Sequence, residues 1–284
     1  MSKLIYANFS RLKNDTFLWF VTGSALPVTV FFILFFYNHY LDQPKTDYFG
    51  TPKTFYFDEY YFIATLALPL LAAVVISVFI GRDFSERTIR NKLISGHSHA
   101  SVYLSNLVTG FFAALFIYAA MLIGGLIGIP IAEPTLLSGN VNVLTYIIIG
   151  IFAALSCASA ATLINMLLGN RLASIIASMI LFAGILFLLF PKAELLALPE
   201  FYDDHHFVDG VMTTFPNALP NEKYVGGAAR TVWECIMEFF PSGNMLMMYE
   251  GIVANPIREI ILSLSFTAAT SAVGIYFFKR KDLK

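Results

Sequence analysis

Chemistry needs ionisable or nucleophilic groups brought together, and this 284-residue chain offers few. The densest group of metal-ligand types is Asp203-Asp204-His205-His206. Adjacent histidines on a helix or strand point to different sides, and no second ligand pair follows at a useful spacing, so the group does not predict a metal. His97 and His99 alternate in a polar stretch and read as interfacial polar groups. Cys157 falls in an apolar run and Cys235 in a long polar segment, neither has a CxxC spacing, and no disulfide between them is expected. GxxxxGK[ST], GxSxG and HExxH are all missing from the sequence. No catalytic residue, metal or cofactor is therefore expected on this chain, and any ATP it uses must be bound by another.

The most informative polar spacing lies between Gly81 and Gly96. Ser85 can cap a helix whose first turn holds Glu86, and Gly96 is a natural stop, which predicts two to three helical turns. On that helix Arg87, Arg90, Asn91 and Ile94 recur at i, i+3, i+4 and i+7 and share a face. A short, charged, capped helix between two apolar runs is suited to docking a soluble partner; the plain alternative is a loop shaped only by the charge asymmetry of membrane proteins. Asn165 is the strongest polar candidate within an apolar run, and a helix-helix hydrogen bond explains it.

The elements that must carry these residues are membrane spans. Residues of the set AVILMFWYC make up 57% of the chain and charged residues 13%, against about 25% charged in a soluble domain, which excludes a water-soluble fold. Six windows, 17–37, 61–80, 107–129, 144–168, 172–190 and 260–278, meet the roughly 20-residue length of a bilayer crossing. None contains Asp, Glu, Lys, Arg or His. Proton relays, ion-coupled carriers and intramembrane hydrolases need such groups at depth, so their absence from the windows argues against all three. With both termini placed inside, twelve of the eighteen basic residues and only four of the nineteen acids fall on inner segments. That asymmetry predicts cytoplasmic termini.

Between and around the spans, Ile5, Phe9 and Leu12 give residues 1–16 the apolar stripe of an interfacial helix ended by Asn14-Asp15. The first apolar run is longer than the core of a signal peptide and is expected to stay in the protein. Pro27 and Pro69 sit within spans and suggest kinks. The outer loop 38–60, with Tyr40, Tyr48, Phe49, Phe55, Tyr56 and Phe57, reads as an interfacial aromatic belt. Gly150, Ala154 and Ala158, continued by Ser159 and Thr162, form a small-residue face for close helix packing. Gly169-Asn170-Arg171 forces a tight helical hairpin. The segment 191–259 is expected to hold two short outer-leaflet helices. The first, Ala228 to Phe240, has Arg230, Glu234 and Glu238 on its polar side and Val232, Trp233, Ile236 and Met237 on its apolar side; the second begins at Met245.

At the inner loop the sequence resembles the ABC-2 family of ABC transporter permeases. The residues that carry the likeness are Glu86, Thr88-Ile89-Arg90-Asn91-Lys92-Leu93-Ile94 and Gly96, then Ser98 and Tyr103-Leu104-Ser105-Asn106. Arg87 stands where relatives often have Gly, and His99 where an Arg often follows the Ser. The resemblance implies an all-α integral membrane fold of the type II exporter kind, a single permease domain over 1–284. It comprises six spans, an N-terminal interfacial helix, a coupling loop at 82–105 and an extracellular segment at 191–259. It further implies that Glu86, Arg87, Thr88, Ile89, Arg90, Asn91, Lys92, Leu93 and Ile94 dock on a separate ABC ATPase that holds ATP and Mg. A second permease subunit, identical or a sister chain, would complete the complex in a bacterial cell membrane, and no nucleic-acid partner is implied. Compact relatives export amphipathic toxin peptides or bacteriocins, or give resistance to antimicrobial peptides. Drug, lipid-linked precursor or sodium efflux is the alternative cargo, and a membrane enzyme or anchor without an ATPase the alternative class.

Overall fold

The computed structural model describes residues 1–42, 61–131, 143–208 and 211–281. Of the outer loop read at 38–60, residues 43–60 lie outside them, and 38–41 continue the helix that starts at Thr16. Six described helices are long and apolar enough to cross a membrane, and the chain is a multi-pass, almost wholly helical membrane protein.

Helix α1 (Ser2–Lys13) buries Leu4, Asn8 and Leu12. The buried stripe is thus turned from the one the sequence suggested: Ile5 is half-buried, and Phe9 lies exposed, edge-on to Phe112 with ring centroids 5.4 Å apart. Asn8 turns inward because polar partners wait there, as described below. Asp15 then caps α2 (Thr16–Leu41), accepting from the amides of Phe17 at 2.9 Å and Leu18 at 3.1 Å. Pro27 lies inside α2. After Tyr61 and Phe62 a 3-10 turn, Ile63–Ala67, leads into α3 (Leu68–Ser85). Pro69 therefore falls in the first turn of α3, where its missing N–H has no helical partner to lose, and it starts that helix rather than kinking a span.

Helix α4 (Thr88–Ile94) and α5 (His99–Ile131) follow, then α6 (Val143–Leu168) and α7 (Arg171–Ala197). Helices such as α5 and α7 outrun the apolar windows because a window marks hydrocarbon depth, whereas the helical backbone continues into the polar margin. The α6–α7 turn needs its glycine: Gly169 has φ +65°, and Asn170 caps α7 by accepting from the Ala173 amide at 3.2 Å. Lys281 donates to the carbonyls of Met166 and Leu167 at 3.1 and 2.9 Å, closing the last turn of α6. Burial lowers its proton affinity.

Helix α6 is the centre of the bundle. A Cβ on Gly150 would stand 2.0 Å from the Tyr118 hydroxyl of α5, so the small residue is required by close approach. Ala154 and Ala158 are fully buried. Ser156 donates to the Ser263 carbonyl at 3.0 Å, Thr270 to Ser159 Oγ at 2.9 Å, and Asn165 Nδ2 to Ser77 Oγ at 2.8 Å. The helix-helix hydrogen bond read for Asn165 is thus present, and it ties α6 to α3.

The segment after α7 differs from the sequence reading in two ways. First, β1 (Phe201–Val208) and β2 (Val211–Pro220) form an antiparallel hairpin, paired from Phe201↔Pro220 to Val208↔Val211 with an irregularity between Tyr202 and Asp204. Asp203-Asp204-His205-His206 runs along β1. Second, α8 (Gly227–Phe239) is turned over. Its acidic side is the buried one, with Glu234, Met237 and Glu238 inside and Val232 exposed. The reason lies in α10 (Pro256–Arg280), whose Arg258 reaches Glu238 at 2.6 Å and Glu234 at 2.9 Å, while Arg230 holds Glu234 at 3.0 Å. Between them α9 (Pro241–Tyr249) is buried from Pro241 to Met248.

The α8–α9 connection has no room for a side chain at Gly243, where a Cβ would come 2.3 Å from the Met237 carbonyl oxygen. Gly184, in α7, has open space around it. Gly243→Ala is expected to lower stability by about 1–3 kcal/mol through overpacking, whereas Gly184→Ala leaves it unchanged or raises it by up to about 1 kcal/mol. Thermal unfolding of the two detergent-solubilised variants checks this; equal melting temperatures contradict it.

Candidate functional site

The segment between α3 and α5 was singled out for its residue types, and its geometry is decided by one buried carboxylate. Ser85 does not cap α4. Helix α3 runs on through Ser85, whose hydroxyl donates to the Gly81 carbonyl at 3.0 Å, and Glu86 is its C-cap. The chain then reverses at Arg87, the one described non-glycine residue with positive φ (φ 58°, ψ 17°). Left-handed backbone costs a side-chain-bearing residue roughly 1–2 kcal/mol.

The far end of α4 is closed by Gly96, with φ +87°. Its amide donates to the Leu93 carbonyl at 3.0 Å and the His97 amide to the Lys92 carbonyl at 3.2 Å, a Schellman pair. Ser98 Oγ accepts from the Ser101 amide at 3.2 Å and starts α5. Both ends of α4 are thereby fixed by the backbone itself.

Rotation about the α4 axis is set by Asp83, which is fully buried near the end of α3. Its carboxylate receives Arg11 of α1 on one oxygen and Lys92 of α4 on the other, the latter at 2.8 Å. Lys92 also donates to Asn8 Oδ1 at 2.9 Å, and Asn8 Nδ2 donates to Asn106 Oδ1 at 2.9 Å and Ser105 Oγ at 3.3 Å. Alongside, Arg82 pairs with Asp15, the cap of α2. One connected polar network therefore joins α1, α3, α4 and α5, with the start of α2 beside it.

This network sorts the nine residues of the expected docking set. Glu86, Arg87, Arg90, Asn91 and Ile94 are exposed, Ile94 to 72%. Thr88 and Leu93 are half-buried, and Ile89 is buried in the core. Lys92 is turned inward and bonded within the protein, so it is not a free docking charge. Sequence reasoning missed Asp83, Asn8 and Arg11. The available signal was that Asp83 is an acid at the basic end of a span, which calls for a cationic partner.

The face that remains outward combines two arginines, one carboxylate, one amide and a large aliphatic side chain on a helix of under two turns. It holds no nucleophile-base pair, and its chemistry is that of recognition: guanidinium donors for carboxylates and an apolar knob for a pocket. Among the described residues no three His, Cys, Asp or Glu are grouped to hold a metal ion.

Compared with known proteins, residues 4–187 match the family described as "ABC-2 family transporter protein". That match spans α1 to α7 and includes the whole network around Asp83. No curated protein matches the chain.

Removing the Asp83 charge leaves Arg11 and Lys92 facing each other without a compensating anion. Asp83→Asn is expected to cost about 3–5 kcal/mol, the scale of a broken buried ion pair, while Glu86→Gln, on an exposed residue, changes stability by less than about 0.5 kcal/mol. At the reversal, Arg87→Gly keeps or raises the melting temperature and the β-branched Arg87→Val lowers it by about 1–2 kcal/mol of stability. Thermal melts of the four single variants test this order; a harmless Asp83→Asn contradicts the role given to the carboxylate.

Proposed function

The chain belongs to the ABC-2 transporter family, and we propose from that premise that it is the membrane subunit of an ATP-driven exporter whose ATPase is a separate chain docking on α4. The observation that carries this reading is that α4 and the Arg87 turn before it present Arg87, Arg90 and Ile94 outward while Lys92 of the same helix is anchored inward to Asp83 of α3. A docking helix transmits force only if it cannot roll, and α4 is held at both ends and along its inner face. In this reading the α1 side faces the cytoplasm of a bacterial cell, as the basic residues of 1–16, 82–105 and the C-terminal end suggest. Arg90 pairs with an acidic residue in a groove of the ATPase, Ile94 fills an apolar pocket there, and ATP and Mg stay on the partner.

A second permease subunit completes the transporter. The family resemblance points to α2 and α7 for that contact, and both present large apolar side chains outward, among them Phe31 at 63% and Phe187 at 81% exposure. The cargo we propose is an amphipathic peptide of the toxin or antimicrobial kind. In support, the apolar windows offer no charge to pair with a strongly ionic solute, whose burial there would be costly.

Arg90→Glu is expected to abolish co-purification with the partner ATPase while leaving the melting temperature within about 1 °C of the parent, since surface substitutions change stability little; Arg90→Lys keeps part of the binding. Retained binding by Arg90→Glu overturns the docking assignment. For the cargo, the reconstituted complex should hydrolyse ATP faster when cationic amphipathic peptides are added, and an unchanged rate with no vesicle export rejects a peptide substrate.

A further inference from the structure

A recess of about 340 Å³ opens beside the α1–α2 turn, with Ser10, Arg11, Asn14, Arg82 and Glu86 in its lining. It differs in kind from the groove beside α8, whose lining of Val232, Ile236, Phe239 and Leu262 is apolar. Its level in the bilayer is marked by Trp19, a half-exposed indole in the first turns of α2 whose Nε1 donates to the Lys13 carbonyl at 2.6 Å. Tryptophan at the end of an apolar span, next to an amphipathic helix, sits among lipid headgroups.

The charges around the recess are balanced and spatially divided. Arg11 and Lys92 meet Asp83, Arg82 meets Asp15, and Glu86 supplies the remaining carboxylate, so three cations stand with three anions. Arg11 and Arg82 each give an Nη1 to their carboxylates. A guanidinium has five N–H donors, so both keep donors to spare, and both side chains are over a third exposed, at 36% and 38%. Glu86 is exposed and enters none of these pairs. A simple anion placed here meets Asp15 and Glu86, and a simple cation meets the arginines. Only a group with both charges is served at both ends.

We infer that this recess binds the headgroup of a membrane lipid carrying a phosphate and a primary ammonium together, from the leaflet on the α1 side. The phosphate accepts from Arg11 and Arg82, with the Ser10 hydroxyl and Asn14 amide as further donors, and the ammonium donates to Glu86. Because Arg82 and Glu86 lie at the end of α3, immediately before the reversal into α4, the bound lipid sits against the base of that helix. The site does not depend on the ATPase or the cargo.

The test is native mass spectrometry of the full chain released from phosphatidylcholine nanodiscs doped with either phosphatidylethanolamine or phosphatidylglycerol. Phosphatidylethanolamine should be retained about tenfold over phosphatidylcholine, the scale of one charge-assisted hydrogen bond, and phosphatidylglycerol should not be. Glu86→Gln, an exposed substitution that leaves the fold intact, should erase that preference, and Lys3→Gln should not. Equal retention of the three lipids, or an unchanged preference in Glu86→Gln, overturns the proposal. Displacement of the lipid by soluble glycerophosphoethanolamine at equal concentration shows a site for a free phosphoamine and overturns its assignment to a lipid.

Discussion

A carboxylate with no exposure to solvent cannot stand alone, and most of the arrangement on the α1 side follows from how Asp83 is satisfied. Two cations from different elements converge on it, Arg11 from a helix at the start of the chain and Lys92 from beyond a chain reversal. Lys92 in turn needs a second acceptor and finds Asn8, and Asn8 needs its own partners and finds Ser105 and Asn106. The network holds because Asp83, Lys92 and Asn8 are each completed by a group on a neighbouring helix. Its consequence is mechanical: four helices share one set of bonds, and none can turn without breaking them. The left-handed Arg87 belongs to the same requirement, since without that reversal Lys92 would not come back to the end of α3.

The opposite side of the bundle uses the same device with the signs exchanged. There Arg258 bridges Glu234 and Glu238, and Arg230 also holds the Leu196 carbonyl at 3.0 Å. The pairs fix α8 against α7 and α10, and α9 beside it is buried from Pro241 to Met248. Between these two clamps the bundle is held by small residues and short hydrogen-bonding side chains along α6, which let backbones approach without placing charge at depth. Charge is used at the margins, where its partners can be supplied, and the apolar middle is left free of it.

This division explains what could be read from the sequence. The spans were legible because continuous apolar runs have few other uses, and α4 was legible because its stop glycine and its charged spacing are local. The exposed face of Arg90, Asn91 and Ile94 follows from helical periodicity alone, whereas Arg87 is placed by the reversal before the helix. Orientation was not legible: Lys92 looks like one more surface cation until Asp83, nine residues earlier, is placed beside it across a reversal. The same blindness turned α8 over, because its acidic side reads as solvated until Arg258 arrives from another helix. Asn8 found its partners nearly a hundred residues away. The hairpin at 201–220 is a different matter. Asp209-Gly210, set between runs that include Tyr, Phe, Val and Thr, is a strong local hairpin signal, masked by the neighbouring Asp and His residues, whose types suggest ligands.

The central claim is that Asp83 makes α1 and α4 one rigid piece. Spin labels at Tyr6→Cys and Ser95→Cys, both exposed positions outside the network, in a Cys235→Ser background and lipid nanodiscs, report the separation of the two helices directly by pulsed electron paramagnetic resonance. A single narrow distance that broadens when Asp83→Asn is introduced is the predicted result. The same narrow distance with and without the Asp83 charge, or a broad distribution while it is intact, contradicts the claim.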